Sequence, residues 1–140
     1  MRVLFVCTGN TCRSVLAEYI SRGRFRGQID AESAGVQPGS VEDSSNAIYT
    51  LRQHGIDARA HKPRDVRGVN IAEFDLIVTM DNQVARTLHE LFPALPSERL
   101  KKWRINDPYG DDLAEYDECA KVIHRELKRM LSSVAKRPST

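Results

Sequence analysis

Residues Arg2 to Val6 form a short apolar run that ends in Cys7-Thr8-Gly9-Asn10-Thr11-Cys12-Arg13-Ser14, and beyond it Val15, Leu16, Tyr19 and Ile20 recur at helical spacing. Strand, short loop and helix therefore follow one another within about 20 residues, which is the opening of a βαβ unit. An uninterrupted apolar run suits a strand buried in a parallel sheet. The rest of the chain repeats the alternation. Ile29 to Ala34 is a predicted second strand and Gly35 to Asp43 a loop, and Ala47, Ile48 and Leu51 mark a helix that Gly55 should end. Asp57 to Asn70 is polar and basic and reads as an extended loop, and Asp75 to Met80 is a third strand followed by a helix with Val84, Leu88 and Leu91 on its apolar face. Leu100 to Ile105 is predicted as a final strand despite Lys101, Lys102 and Arg104, and Asn106 to Asp112 as a turn. A last helix runs through Tyr116, Cys119, Ile123, Leu127 and Met130. This order predicts an α/β fold, an open and mainly parallel sheet with helices on both faces, in which ligands bind at the carboxyl ends of strands.

At 140 residues the chain is long enough for one domain and too short for two well-cored ones. The expected domain spans residues 1–134, with a frayed tail from Ala135 to Thr140. Twenty-one Lys and Arg against 19 Asp and Glu leave a net charge of +2, too balanced to support a nucleic-acid partner. No apolar run reaches the roughly 18 to 20 residues of a membrane span, and the N-terminus is too short and abrupt for a signal peptide, so a cytoplasmic protein with no membrane partner is expected. Three cysteines are an odd number and make no disulfide framework.

The loop after the first strand carries the chemistry. Gly9 and Asn10 tolerate positive φ, so the segment can curl and turn successive backbone N–H groups inward at a helix N-terminus. Such a nest, from Thr8, Gly9, Asn10, Thr11, Cys12, Arg13 and Ser14, binds a dianionic phosphate or another oxyanion without a metal. The Arg13 fork adds a bidentate clamp. Cys7 lies beneath the bound anion, where the same donors favour thiolate over thiol and make it a nucleophile. The Gly-Lys-Ser/Thr of nucleotide-binding loops is absent, so ATP or GTP is not the ligand. A phosphocysteine scheme also needs a proton donor for the leaving group. Asp107, in Asn106-Asp107-Pro108-Tyr109-Gly110, stands out because Pro108 confines it to an extended conformation in a stiff loop.

These residues resemble the low-molecular-weight protein tyrosine phosphatases, with landmarks along nearly the whole chain. They are Val6 to Ser14 with Ala17-Glu18, then Ser33-Ala34-Gly35, His54-Gly55-Ile56, His61-Lys62-Pro63-Arg64, Met80-Asp81 and Asp107-Pro108-Tyr109-Gly110. The resemblance implies a four-stranded parallel sheet, no cofactor or metal, and a phosphorylated protein as substrate. It makes Cys7 the nucleophile, Arg13 the transition-state clamp and Asp107 acid and then base. It further implies that Asn10, Ser14, Ser33 and His61 form a polar network with Ser14 Oγ aimed at the thiolate, and that Cys12 forms a reversible disulfide with Cys7.

Specificity falls to Thr8, Thr11 and Tyr109. The loop Cys-Thr-Gly-Asn-Thr-Cys-Arg-Ser resembles the protein-arginine phosphatase branch, and Gly110 stands where many tyrosine phosphatases carry a second aromatic, so phosphotyrosine and phosphoarginine are both open as substrates. The arsenate reductases of the family relay electrons through cysteines near the third strand. Val78 to Asp81 has none, and Cys119 falls on an apolar helix face.

Overall fold

The computed structural model describes residues 1–135. Four strands, β1 (Arg2–Cys7), β2 (Asp30–Gly35), β3 (Leu76–Thr79) and β4 (Leu100–Lys102), form one sheet in the order β2-β1-β3-β4, with every neighbouring pair parallel. The four main helices are α1 (Arg13–Arg24), α2 (Ser45–Gln53), α3 (Asn82–Leu91) and α4 (Leu113–Ala135). Of the expected tail, residues 136–140 lie outside the described residues, and Ala135 still belongs to α4.

Period-two alternation along β1 assigns the two cores. Val3, Phe5 and Cys7 face a cluster built with α1, α2 and α4, including Leu16, Leu51, Tyr116, Ile123 and Leu127. Leu4 and Val6 face the other way, onto Ile77's side chain, Phe74 and the α3 residues Val84 and Leu88. The predicted α/β sandwich with helices on both faces is therefore the observed one.

The strand order reverses between β1 and β3, because the chain leaves β1 toward β2 on one side and builds β3 and β4 on the other. The carboxyl ends of β1 and β3 thus diverge into a crevice of the kind that holds ligands in open parallel sheets. Cys7 closes β1 and Asp81 follows β3 at this crevice.

Several boundaries differ from expectation. β4 is only three residues long, not the six of Leu100–Ile105, because it is an edge strand whose regular pairing with β3 ends at Thr79↔Lys102. The Trp103 N–H still donates to Thr79 O and the Ile105 N–H to Met80 O, while the chain turns the Trp103 and Ile105 side chains into the core. The segment expected as loop up to Asp43 holds a 3₁₀ turn at Glu42–Ser44 that leads into α2. The Asp57–Asn70 loop is anchored by a 3₁₀ turn at Val66–Gly68 and a bridge between Gly35 and Asp65. Gly55, at φ 77°, ends α2 as predicted.

Candidate active site

The loop between β1 and α1 curls as its sequence requires. Asn10 takes φ 55°, the one positive-φ residue other than glycine among the described residues. That turn directs the Asn10 N–H onto Cys7 Sγ at 3.3 Å. Ser14, in the first turn of α1, places its Oγ 2.9 Å from the same sulfur. The loop's outer edge is zipped to the chain beyond β2: the N–H groups of Val36, Gln37 and Gly39 donate to the carbonyls of Cys7, Thr8 and Gly9 at 3.1, 2.8 and 2.9 Å. Gly35 makes this close approach possible. A Cβ there would stand 2.7 Å from Thr8 O and 2.9 Å from Asn10 N, closer than side chains pack.

A second set of contacts holds Asn10 from behind. Its Nδ2 donates to Ser14 Oγ at 2.8 Å and to Ser33 Oγ at 2.9 Å, and its Oδ1 accepts the Arg64 N–H at 3.0 Å. His61 Nε2 donates to Asn10 O at 2.8 Å. Ser33 Oγ in turn donates to Glu18, whose carboxylate pairs with Arg22 at 2.6 Å. Asn10 and Ser14 are fully buried, and this polar cluster has a complete set of partners, the condition under which it rigidifies a loop. Burial pushes the Glu18 carboxyl above the usual range despite the Ser33 and Arg22 contacts.

Arg13 enters from the start of α1. One terminal nitrogen donates to Asp81 Oδ2 at 2.8 Å and to Ile105 O at 3.1 Å, and the other lies 3.6 Å from Asp107 Oδ2. Its Nε is buried and finds no hydrogen-bond partner among the described residues. Asp81 also caps α3 by accepting the Val84 N–H at 2.8 Å. Burial alone would raise the Asp81 carboxyl, but the Val84 N–H and the Arg13 guanidinium more than offset it and hold the group below the usual carboxylate range.

Asp107 is 47% exposed and accepts the Tyr109 N–H at 3.1 Å, which turns its carboxylate back toward Arg13. Tyr109 reaches across the opening and donates its hydroxyl to Asp43 Oδ1 at 3.1 Å. Thr11 is buried, its Oγ1 3.7 Å from Cys12 Sγ and its methyl against Gly39. The structure thus brings together Cys7, Asn10, Ser14, Ser33 and His61 in one network, and Arg13 with Asp107 beside it. Thr8 is exposed, and its carbonyl rather than its side chain serves the loop.

Cys12 Sγ lies 3.2 Å from the Tyr116 hydroxyl, and all three thiols are free. Burial pushes the Cys12 thiol up, against the Tyr116 and Thr11 contacts. Cys119 is buried beneath the Asp107 loop, near Asn106 O, and burial pushes its thiol up to about 12. Among the described residues no group of three or more His, Cys, Asp or Glu is placed to hold a metal, and no helix is long and apolar enough to cross a membrane.

Asp81, Glu18, Arg64 and Asp43 have no role in the sequence reading. Asp81 had a usable signal, an N-cap residue placed between a strand and a periodic helix at the topological switch. Glu18 and Arg64 stand among the family landmarks, but nothing local announces their contacts or that of Asp43, since the partners lie 15, 54 and 66 residues away in sequence.

A model of the low molecular weight phosphotyrosine protein phosphatase family matches residues 2–139. The low molecular weight phosphotyrosine protein phosphatase of Sus scrofa is 31% identical, covering 91% of this chain and 94% of its own. Arsenate reductase 1 of Staphylococcus epidermidis is 27% identical over 96% of each. Among solved structures, the low molecular weight protein tyrosine phosphatase from T. tengcongensis superposes with a TM-score of 0.84 at 31% identity, covering 95% of this chain and 99% of that one. The YwlE arginine phosphatase from Geobacillus stearothermophilus has the same fold, with a TM-score of 0.84 at 24% identity and 99% coverage of both. A family match over nearly the whole length, together with 31% identity over nine-tenths of both chains, has one reading: this chain belongs to the low molecular weight phosphotyrosine protein phosphatase family.

Proposed function

We propose that the chain, a cytoplasmic protein with a single domain over residues 1–134, hydrolyses phosphotyrosine in phosphorylated proteins through a phosphocysteine at Cys7. The observation that carries this reading is the buried, unpartnered Nε of Arg13 beside Cys7. A buried donor left unsatisfied costs about 1 to 3 kcal/mol, and an oxyanion seated over the loop supplies its partner. The family is one of metal-independent phosphatases, which accords with a site built from N–H groups and a guanidinium.

The phosphoryl group sits in the nest from Thr8 to Ser14, its oxygens on the loop N–H groups and on Arg13. Cys7 Sγ attacks phosphorus in line with the departing tyrosyl oxygen, to which Asp107 gives its proton. The S–P bond forms as the P–O bond breaks. Asp107, now a carboxylate, takes a proton from water as that water attacks the phosphocysteine, and Cys7 leaves as thiolate. Ser14 Oγ, 2.9 Å away, is placed to donate to the departing sulfur, while Asp81 holds Arg13 in register.

Thr11 favours a second reading on the same scaffold. Its hydroxyl stands where an aliphatic side chain would better serve a phenyl ring, and it offers an acceptor to the N–H groups of phosphoarginine. Arsenate reduction by a cysteine relay has less support, because Cys119 is buried and lies on α4 rather than at β3.

The test is a set of two substitutions assayed on phosphotyrosine peptides. Cys7→Ser is expected to abolish turnover while phosphate still binds, and Asp107→Asn to lower kcat by roughly 10²-fold or more. Activity that survives in Cys7→Ser, or that EDTA removes, refutes the mechanism. The kcat/KM ratio between phosphotyrosine and phosphoarginine peptides decides the substrate.

A further inference from the structure

We propose that Glu18 is a positioning residue for Cys7, acting through Ser33 and Asn10 to keep the Ser14 hydroxyl directed at the sulfur. This rests on the reading of Cys7 as the nucleophile.

Donors and acceptors alternate along one buried chain from Glu18 to Cys7. Arg22, 2.6 Å from Oε2, pairs with the Glu18 carboxylate against the cost of its burial, and a carboxylate in that pair can only accept. Ser33 must therefore spend its one hydroxyl proton on Glu18. Its lone pairs are left to face Asn10, and they accept from Nδ2 at 2.9 Å. The second Nδ2 proton goes to Ser14 Oγ at 2.8 Å. Ser14, already accepting, has its own proton free for Cys7 Sγ at 2.9 Å.

The alternative is a 180° turn of the Asn10 amide. Oδ1 would then face Ser14 and Ser33, Ser14 would donate to Asn10, and Cys7 would lose its hydroxyl donor. Two locks oppose that turn. The Arg64 N–H, 3.0 Å from Oδ1, would meet an NH₂ group, and the Ser33 oxygen, its proton committed to Glu18, would meet Oδ1 lone pair to lone pair. Arg64 is one lock and Glu18 is the other. Glu18 lies on α1, four residues past Ser14 and away from the phosphate cradle, so it does not touch a substrate. The charged and titratable groups around it are Arg22 and Tyr19 on its own helix, Glu32 on β2, and His61, Lys62 and Arg64 from the loop, while Arg13, Cys12 and Cys119 are the ones that act on Cys7.

The direction of the effect separates this role from simple electrostatics. Removing a nearby negative charge eases ionisation of a thiol. Releasing the amide lock makes it harder. The readout is the rate of inactivation by iodoacetate as a function of pH, which follows the thiolate at Cys7. Glu18→Ala is expected to move the midpoint upward by about 0.5 to 1 pH unit. In a Ser14→Ala background the same substitution is expected to move it no further. Glu18→Gln keeps an oxygen for Ser33, because the half-exposed Arg22 can turn into water, and its midpoint is expected to stay close to wild type. Should Glu18→Ala fail to fold, Ser33→Ala removes the same link and is expected to give the same upward shift. The inference is overturned by a midpoint that falls or stays put in Glu18→Ala and in Ser33→Ala, by an equal shift without Ser14, or by Glu18→Gln behaving as the alanine variant does. A wild-type enzyme that iodoacetate does not inactivate overturns instead the reading of Cys7 as nucleophile, and this inference with it.

Discussion

Gly35→Ala adds one methyl group at the end of β2, opposite Cys7. An ideal Cβ there stands 2.7 Å from Thr8 O, 2.9 Å from Asn10 N and 3.0 Å from Gly9 C. All three are backbone atoms of the phosphate loop, so no side-chain rotation relieves the overlap. Ordinary contact begins at 3.4 Å, so the loop or the strand must retreat by roughly half an ångström or more. Overpacking of this kind costs about 1 to 3 kcal/mol, of which about 0.4 to 1 kcal/mol is offset by the smaller entropy of the unfolded chain. The expected net loss in urea unfolding is thus about 1 to 2 kcal/mol, which leaves the protein folded. Catalysis suffers more, because the displaced atoms include the Asn10 N–H that faces Cys7 Sγ. A misplacement approaching 1 Å costs on the order of 10²-fold in rate. The assay is kcat/KM on an aryl phosphate together with inhibition by inorganic phosphate, both of which should weaken. Gly68→Ala serves as the control, since a Cβ there meets nothing within 4 Å, and it should change stability by no more than about 0.5 kcal/mol. A Gly35→Ala enzyme with wild-type kcat/KM would show that the loop tolerates displacement and would refute the reasoning.

Thr11→Ile removes the hydroxyl acceptor and adds apolar bulk, so kcat/KM for phosphoarginine should fall about 10-fold or more relative to phosphotyrosine; equal losses on both substrates would reduce Thr11 to a support of the loop. Asp81→Ala removes the cap of α3 and a partner of Arg13, with an expected cost of about 1 to 2 kcal/mol from the cap alone and a lower kcat/KM. The Asp81 carboxyl is held below its unfolded value, so its stabilisation is present above that value and disappears as pH falls through the folded one. Urea unfolding should therefore show the gap between wild type and Asp81→Ala closing below about pH 4, and a gap that widens there would contradict the ion pair. Peroxide should inactivate the enzyme reversibly, with less recovery by dithiothreitol in Cys12→Ser; equal recovery in both proteins would leave Cys12 a packing residue beneath Tyr116.

What the sequence determined by itself was local. The apolar run of β1, the glycine and asparagine that permit a curled loop, and the helical periodicity from Val15 all act within a few residues, and they specify a strand, an anion nest and a helix start without help. Cys7 and Arg13 are legible for the same reason, because the loop that joins them is continuous. Alternation of strands and helices fixed the layered architecture, since parallel strands require crossovers that cover the faces.

The tertiary structure alone decided how distant groups meet at the site, and it added Asp81, Glu18, Arg64 and Asp43 to those already singled out. Asp107 meets Arg13, and Asp43 meets Tyr109, only because the segment between β4 and α4 and the segment after β2 return to the same end of the sheet. The partners of Asn10 come from Ser14, Ser33, His61 and Arg64, four positions with no shared period. β4 shows the same limit: its length is set by where its pairing with β3 ends and the chain turns Trp103 into the core, a contact that no window of local sequence contains. Backbone conformation is encoded over a few residues, whereas hydrogen-bond partners and edges are chosen by the packing of whole elements.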